Sequence, residues 1–197
     1  MAYELDFISE DCYEGTTVLK NKLNIKDEAE LLENEALITT YKTAVIENTA
    51  MKPDFNFEDY LALHKFMFED LYEWAGKIRT INISKATTKF CDFKKIELIG
   101  NAVFNRLNEE DYFKNLDLNV FVDEISDLYN DINHLHVFRE GNGRCQRSFF
   151  TLLIRNSGYN INFNDINIDD LMIATIQASS GITDNLKELF SKNIIAE

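Results

Sequence analysis

Proline is almost missing from this 197-residue chain, which holds one, Pro53, alongside only seven glycines. A many-stranded sandwich or barrel needs tight turns at every strand end, and so few turn formers cannot supply them; helices should dominate. Cysteine is scarce too: Cys12, Cys91 and Cys145 are odd in number, widely spaced and without a C-x-x-C pair. That argues against a disulfide framework and against a zinc site. Basic residues number 20 against 34 acidic ones, for a net charge of −14. A surface that negative repels polyanions, so nucleic acid is not an expected partner. No stretch approaches about eighteen uninterrupted apolar residues, and no membrane span or membrane partner is expected. The opening MAYELDFISEDCYEG carries neither a basic nor an apolar signal region, and the expectation is a cytoplasmic protein.

Hydrophobic residues make up 45% of the chain and aromatics 12%, enough for a substantial core. The length fits one domain over 1–197, with an N-terminal extension and scaffold helix to 52 and the core from 53. Residues 25–50 set Leu31, Leu32, Ala36, Ile38, Tyr41, Val45 and Ile46 at amphipathic-helix spacing. A second helix is predicted from Asn56 as N-cap, through Tyr60, Leu63, Phe66, Met67 and Leu71, to Gly76 as its stop. Residues 77–93 break this rhythm: Ile78, Thr80 and Ile81 to Ile83 mix β-branched with polar residues before a Ser/Lys/Thr turn, which predicts a short β-hairpin. Helical spacing returns in 96–107 and in 119–138, where Val120, Ile125, Leu128, Tyr129, Ile132 and Leu135 form the stripe to be buried. Three more helices follow in 147–158, 168–181 and 183–196. His64 and His134 fall on these helices and are expected at their surfaces.

Between two of the helices stands HLHVFREGNGRCQRSFF, residues 134–150, which holds three of the six arginines. Gly141, Asn142 and Gly143 demand a sharp turn where side chains would obstruct the backbone. Such a turn exposes N–H groups, and a helix beginning around Arg144 adds free amides and the positive end of its dipole, a ready site for phosphate. Arg144 and Arg147, three apart, project from one side of that first turn and can fork onto phosphate oxygens. Glu140 offers the hard oxygen that Mg²⁺ accepts when it shares its shell with phosphates and water. His136, at the end of the preceding helix, can accept a proton from an incoming hydroxyl. Phe138 would pin the loop to the core. Neither the G-x-x-x-x-G-K-[ST] nor the G-x-G-x-x-G nucleotide motif occurs.

HVFREGNGR followed by CQR resembles the Fic-domain signature H-x-F-x-[DE]-G-N-G-R-x-x-R, with Val137 where proline is usual. YEGTTVLKNKL, LHKFMFEDLYEWAGKIRTINISK and TKFCDF are similar, in the same order, to segments of short bacterial Fic toxins. The resemblance implies an all-α Fic fold with a short β-hairpin flap, and transfer of AMP from ATP to a Ser, Thr or Tyr hydroxyl of a target protein. It implies that His136 deprotonates that hydroxyl and Glu140 holds Mg²⁺. Gly141, Asn142 and Gly143 would cradle the α- and β-phosphates, with Arg144 on the β- and Arg147 on the γ-phosphate. Asn142 would also act on charge developing at the transferred group. Glycine at Gly143, where the phosphate-transferring Doc branch carries lysine, favours AMP transfer.

Gln177 and Ser180 fall where related proteins build part of the adenine pocket. Ser84, Lys85, Thr87, Thr88, Lys89 and Phe90 would form the flap, either receiving an extended target segment by strand addition or merely covering the core. Thr43-Ala-Val-Ile-Glu47-Asn48 formally matches the family's inhibitory pattern. It lies in the scaffold helix, so inhibition by a small separate antitoxin with an inhibitory helix is expected. The implied target is the ATPase subunit of a type II topoisomerase. Transfer of phosphate or another nucleotide, a silent nucleotide-binding module, and a helical interaction protein stay open as alternatives.

Overall fold

A computed structural model describes residues 10–48, 53–85 and 88–196, with the backbone alone at Lys85. Thr87, the start of the N-terminal extension and the expected continuation of the scaffold helix past Asn48 therefore lie outside the described residues. Among the described residues there are seven α-helices: α1 Glu28–Asn48, α2 Phe57–Phe68, α3 Ile96–Glu109, α4 Leu118–Leu135, α5 Asn142–Asn156, α6 Ile168–Ser179 and α7 Asp184–Asn193. The fold is all-α, with two very short antiparallel strand pairs. In the first, β1 (Ser84–Lys85) runs against β2 (Thr88–Lys89), with Ser84 opposite Lys89 and Lys85 opposite Thr88. In the second, β3 (Tyr159–Asn160) meets β4 (Ile195–Ala196).

Helix α5 is the axis, packed by α1, α2 and α4. Its Cys145, Phe149, Phe150, Leu153 and Ile154 are at most 2% exposed, so the apolar face of α5 is enclosed, as expected of its FFTLLI stretch. Tyr60 of α2 joins Phe104 of α3, Phe149 of α5 and the loop residue Phe138 in an aromatic cluster with ring centroids 5.4–5.5 Å apart. Each such contact adds to the area term, and the cluster fixes the loop to the core through Phe138.

The elements depart from the sequence-based expectations in several places. α2 starts at its Asn56 cap, where Asp59 completes a capping box, but stops at Phe68, well before Gly76. The Gly76 N–H turns back to donate to His64 Nδ1 at 2.9 Å, so 69–76 folds as turns under α2. On α1, Leu32 and Tyr41 are 66% and 68% exposed, whereas Glu35 and Thr39 are buried; polar partners on α5 and the 69–76 turns replace an apolar stripe. On α4, Val120 is exposed and its neighbours Phe121 and Val122 are buried.

Residues 78–83 are not a strand, because their bonds go elsewhere: the Arg79 N–H donates to Val137 O at 3.0 Å and its guanidinium to other carbonyls. The hairpin is correspondingly shorter than predicted. Finally, the last helix ends at Asn193, and Ile195 and Ala196 instead pair with the chain beyond Gly158. Among the described residues no helix is long and apolar enough to cross a membrane.

Candidate nucleotide and transfer site

The loop 136–141 is built by backbone geometry. His136 ends α4 in a left-handed conformation, φ 45° and ψ 62°, which throws the chain out of the helix axis. Gly141, at φ 79°, is required twice over, since a Cβ there would stand 2.2 Å from Phe68 Cζ as well as straining the backbone. Asn142 then clasps the loop: its Oδ1 accepts the Phe138 N–H and its Nδ2 donates to Phe138 O, both at 2.8 Å. With the loop held this way, α5 begins at Asn142, two residues ahead of the expected start at Arg144. The first intrahelical bond is Cys145 N–H to Gly141 O, so the N–H groups of Asn142, Gly143 and Arg144 point out of the helix end. The Asn142 side chain is thus a structural clasp, and its backbone N–H is the group presented to an anion.

A cavity of about 380 Å³ opens at this helix end. It brings together His136, Glu140, Gly141, Gly143, Arg144 and Arg147 with Thr88 and Phe90 of the flap. Its far wall is apolar, formed by Ile168, Leu171, Met172, Thr175 and Ile176 of α6, with Tyr129 and Asn133 of α4 completing it. Gln177 and Ser180 do not line it. Gln177 borders a separate surface groove between α6 and α7 and accepts from Asn185 Nδ2 at 2.6 Å. The reason is rotation: one residue past Ile176 is 100° around the helix. The three-to-four spacing of 168, 171/172 and 175/176 was the signal available in the sequence.

His136 Nδ1 lies 3.3 Å from Asn133 O. A carbonyl only accepts, so Nδ1 carries the hydrogen and the basic lone pair is on Nε2. Phe90 stacks on the imidazole, centroids 3.7 Å apart and planes 13° from parallel. Below, Arg79 Nε donates to His136 O at 2.7 Å, Nη1 to Ile81 O at 2.6 Å, and Nη2 to Cys91 O and Leu135 O. One buried guanidinium therefore ties both legs of the flap to the carbonyl end of α4, where a cation is also favoured by the helix dipole.

The two motif arginines differ in their surroundings. Arg144 donates to Glu35 of α1, lies 3.5 Å from Glu140 Oε1 and stands 5.1 Å over the Phe68 ring. Glu35 in turn accepts from Tyr72 Oη. Arg147 pairs with no carboxylate among the described residues. Burial lowers its pKa, and Arg144 close by lowers it further. A partly desolvated cation beside a second cation is stabilised by an incoming anion.

Glu140 is the carboxylate of the site. Burial raises its pKa above the usual range, opposed by the Gly141 N–H bond to Oε1 at 2.8 Å and by Arg144. Both of these bonds use Oε1, and Oε2 belongs to the kind of hard donor that Mg²⁺ takes together with phosphate oxygens and water. The residues fit the ion. Behind the loop, His64 is fully buried, which corrects its expected surface place: Nδ1 accepts from Gly76, Nε2 donates to Glu140 O at 3.0 Å, and the ring stacks on Phe138 at 3.7 Å. His134 is exposed. Glu35, Tyr72, His64 and Arg79 were missed in the sequence because their partners come from elements far along the chain.

A helix N-terminus with outward amides, two adjacent guanidinium groups, a carboxylate and a histidine with a basic Nε2 form a site for a polyphosphate and a hydroxyl. The model of the Fic/DOC family matches residues 54–154, and the chain belongs to that family. It is 33% identical over 182 residues to the "Probable protein adenylyltransferase Fic" of Salmonella typhimurium, covering 92% of this chain and 90% of that one. It is 32% identical to Protein adenylyltransferase VbhT of Bartonella schoenbuchensis over 91% of this chain, which spans only 37% of VbhT. Among solved structures, BepC of Bartonella tribocorum with bound AMPPNP superposes with a TM-score of 0.89 at 25% identity, over 95% of this chain and 97% of that one.

Proposed function

We propose that this chain is a protein adenylyltransferase, acting over residues 1–197 as one Fic domain. The observation that carries the reading is the convergence of His136, Glu140 and Arg147 on one cavity at the N-terminus of α5. A triphosphate laid there would meet the outward amides of Asn142 and Gly143, Arg144 at its β-phosphate and Arg147 at its γ-phosphate. The apolar wall from Ile168 to Ile176 would take the base in place of Gln177 and Ser180. Mg²⁺, held by Glu140, would neutralise charge shared between the phosphates.

His136 Nε2 would take the proton of a target Ser, Thr or Tyr hydroxyl. The hydroxyl oxygen would bond to the α-phosphorus as the bond to the bridging oxygen breaks, and pyrophosphate would leave. Gly143 would favour this reaction over phosphate transfer, since a side chain there would enter the space of Arg147, whose Nη1 lies 3.3 Å from the Cβ position. BepC with its bound AMPPNP and the relatives named adenylyltransferases support the nucleotide and the group transferred. An ATPase subunit of a type II topoisomerase is the target we infer from the resemblance to short Fic toxins, with the cytoplasm as the compartment.

Regulation would act on Arg147. A groove of about 320 Å³ between α1 and α5 is lined by Thr39, Thr43, Glu47, Arg147 and Thr151, and a helix of a separate antitoxin laid there could place a carboxylate on that arginine. Glu47 borders the groove, but makes no ion pair with Arg147. Glu47→Gly should therefore leave self-modification unchanged, and a many-fold rise would overturn inhibition in trans.

The deciding experiment incubates the chain with labelled ATP, Mg²⁺ and a bacterial lysate, and reads the label by intact mass. We expect an increment of one AMP that falls by about 10²–10⁴ in His136→Ala. An increment of one phosphate, or transfer by the alanine variant at the wild-type rate, would refute the proposal.

A further inference from the structure

The flap and the segments that lead into and out of it form an electropositive island on an acidic protein. Residues 77–95 hold six basic side chains and one acidic one, whereas the rest of the chain holds 14 basic and 33 acidic. A segment of local charge +5 thus stands on a body of charge −19. Lys77, Lys89, Lys94 and Lys95 are all exposed, and none of them makes an ion pair among the described residues. The single acid, Asp92, is occupied locally, accepting from the Lys94 N–H at 3.0 Å.

This island sits beside the reacting histidine. Lys89 adjoins Phe90, which stacks on His136, and the Cys91 N–H donates to His134 O at 2.9 Å. Lys77 lies two residues before Arg79, whose guanidinium bonds His136 O. Lys94 and Lys95 belong to the turn that Phe93 N–H ties to Asn82 Oδ1 at 3.1 Å. The hairpin is two-stranded, and among the described residues no third strand joins it, so its open edges can receive an extended chain.

We infer that the flap selects target segments that are extended and acidic, with aspartate or glutamate flanking the hydroxyl that is modified. This deepens the adenylyltransferase reading and rests on it. The physical argument is contrast: a body of net charge −19 repels acidic partners overall, whereas around the flap several lysines without ion pairs attract them. An acidic segment would therefore be steered to the one place where His136 can reach its hydroxyl. A basic segment would be drawn to the body and repelled from the flap.

The test measures binding, so it does not depend on transfer chemistry. Fluorescent peptides with one central tyrosine, flanked by glutamates, by glutamines or by lysines, are titrated with the full chain, and anisotropy is read at low and high salt. The glutamate peptide should bind at least about ten-fold more tightly than the glutamine peptide at low salt, with the gap closing at high salt as screening shortens the range. Lys77→Glu/Lys94→Glu/Lys95→Glu should abolish that preference while ATP still raises the melting temperature as in the parent chain. Equal binding of the glutamate and glutamine peptides, binding of neither, or a preference that survives in the triple variant would overturn the inference. Loss of AMP transfer with the peptide preference intact would instead count against the adenylyltransferase reading alone.

Discussion

The Nε2–H of His64 donates to the backbone carbonyl of Glu140 across 3.0 Å, while its Nδ1 accepts from Gly76. Both ring nitrogens are used in the neutral form, and burial pushes the pKa down to about 3 from the usual 6.5. Above pH 6.5 the folded and unfolded chains hold the same proton count at this residue. As pH falls below 6.5, the unfolded chain gains a proton that the folded chain refuses until about pH 3, so stability falls with pH across that window. Roughly 2 kcal/mol should be lost between pH 6.5 and 5 from this group. Urea midpoints of the wild type and His64→Gln across pH should show a shallower slope in the variant.

Glu35 is a buried anion with two donors, Arg144 and Tyr72. Its removal leaves the Tyr72 phenol without its acceptor and the partly buried Arg144 guanidinium with only its longer, 3.5 Å contacts to Glu140 and Thr39. Glu35→Ala should destabilise the chain by about 3 kcal/mol, near the lower end for breaking a buried pair. Glu35→Gln, which keeps an acceptor, should cost less in chemical denaturation.

Gly141→Ala meets two independent obstacles, the left-handed backbone and the Phe68 ring. Steric overlap of this kind costs about 2–4 kcal/mol. Phe68→Leu relieves only the second obstacle, so the double variant should be more stable than the sum of the single changes predicts, by about 1 kcal/mol or more in a thermal double-mutant cycle.

Arg79 bonds His136 O and does not line the cavity, so in the proposed reaction it would act only through His136 and the flap. Lysine cannot satisfy four carbonyls at once. Arg79→Lys should lower kcat about ten-fold with little change in KM for ATP, and Arg79→Ala should lower it further. A fall in kcat accompanied by a marked rise in KM for ATP would mean that the site as a whole is disordered.

The loop 136–147 was legible because its constraints are local. Gly141 and Gly143 mark a turn that side chains would obstruct, and Arg144 and Arg147 share a face by helix geometry alone, whereas the Asn142 clasp on Phe138 was not read. The Asn56 N-cap of α2 was legible for the same reason, whereas its end at Phe68 was not. The buried face of α1 was not, since a stripe containing Glu35 and Thr39 looks like a solvated one until Arg144 is placed opposite it, 109 residues away. His64 was misplaced because a histidine at helix spacing carries no sign of the Gly76 and Glu140 groups it serves. Gln177 and Ser180, placed in the adenine pocket by the resemblance alone, do not line the cavity; Gln177, one residue past Ile176, is about 100° around α6.

All three cysteines are buried and none is in a disulfide. Cys145 lies fully enclosed on α5, with its thiol pKa raised by burial, whereas Cys91 stands at the root of the hairpin. Alkylation with a small reagent therefore separates two motions without any added label. Modification of Cys145 times the opening of the whole core, and modification of Cys91 times release of the hairpin from α4, so a bound peptide should slow the second clock and leave the first untouched.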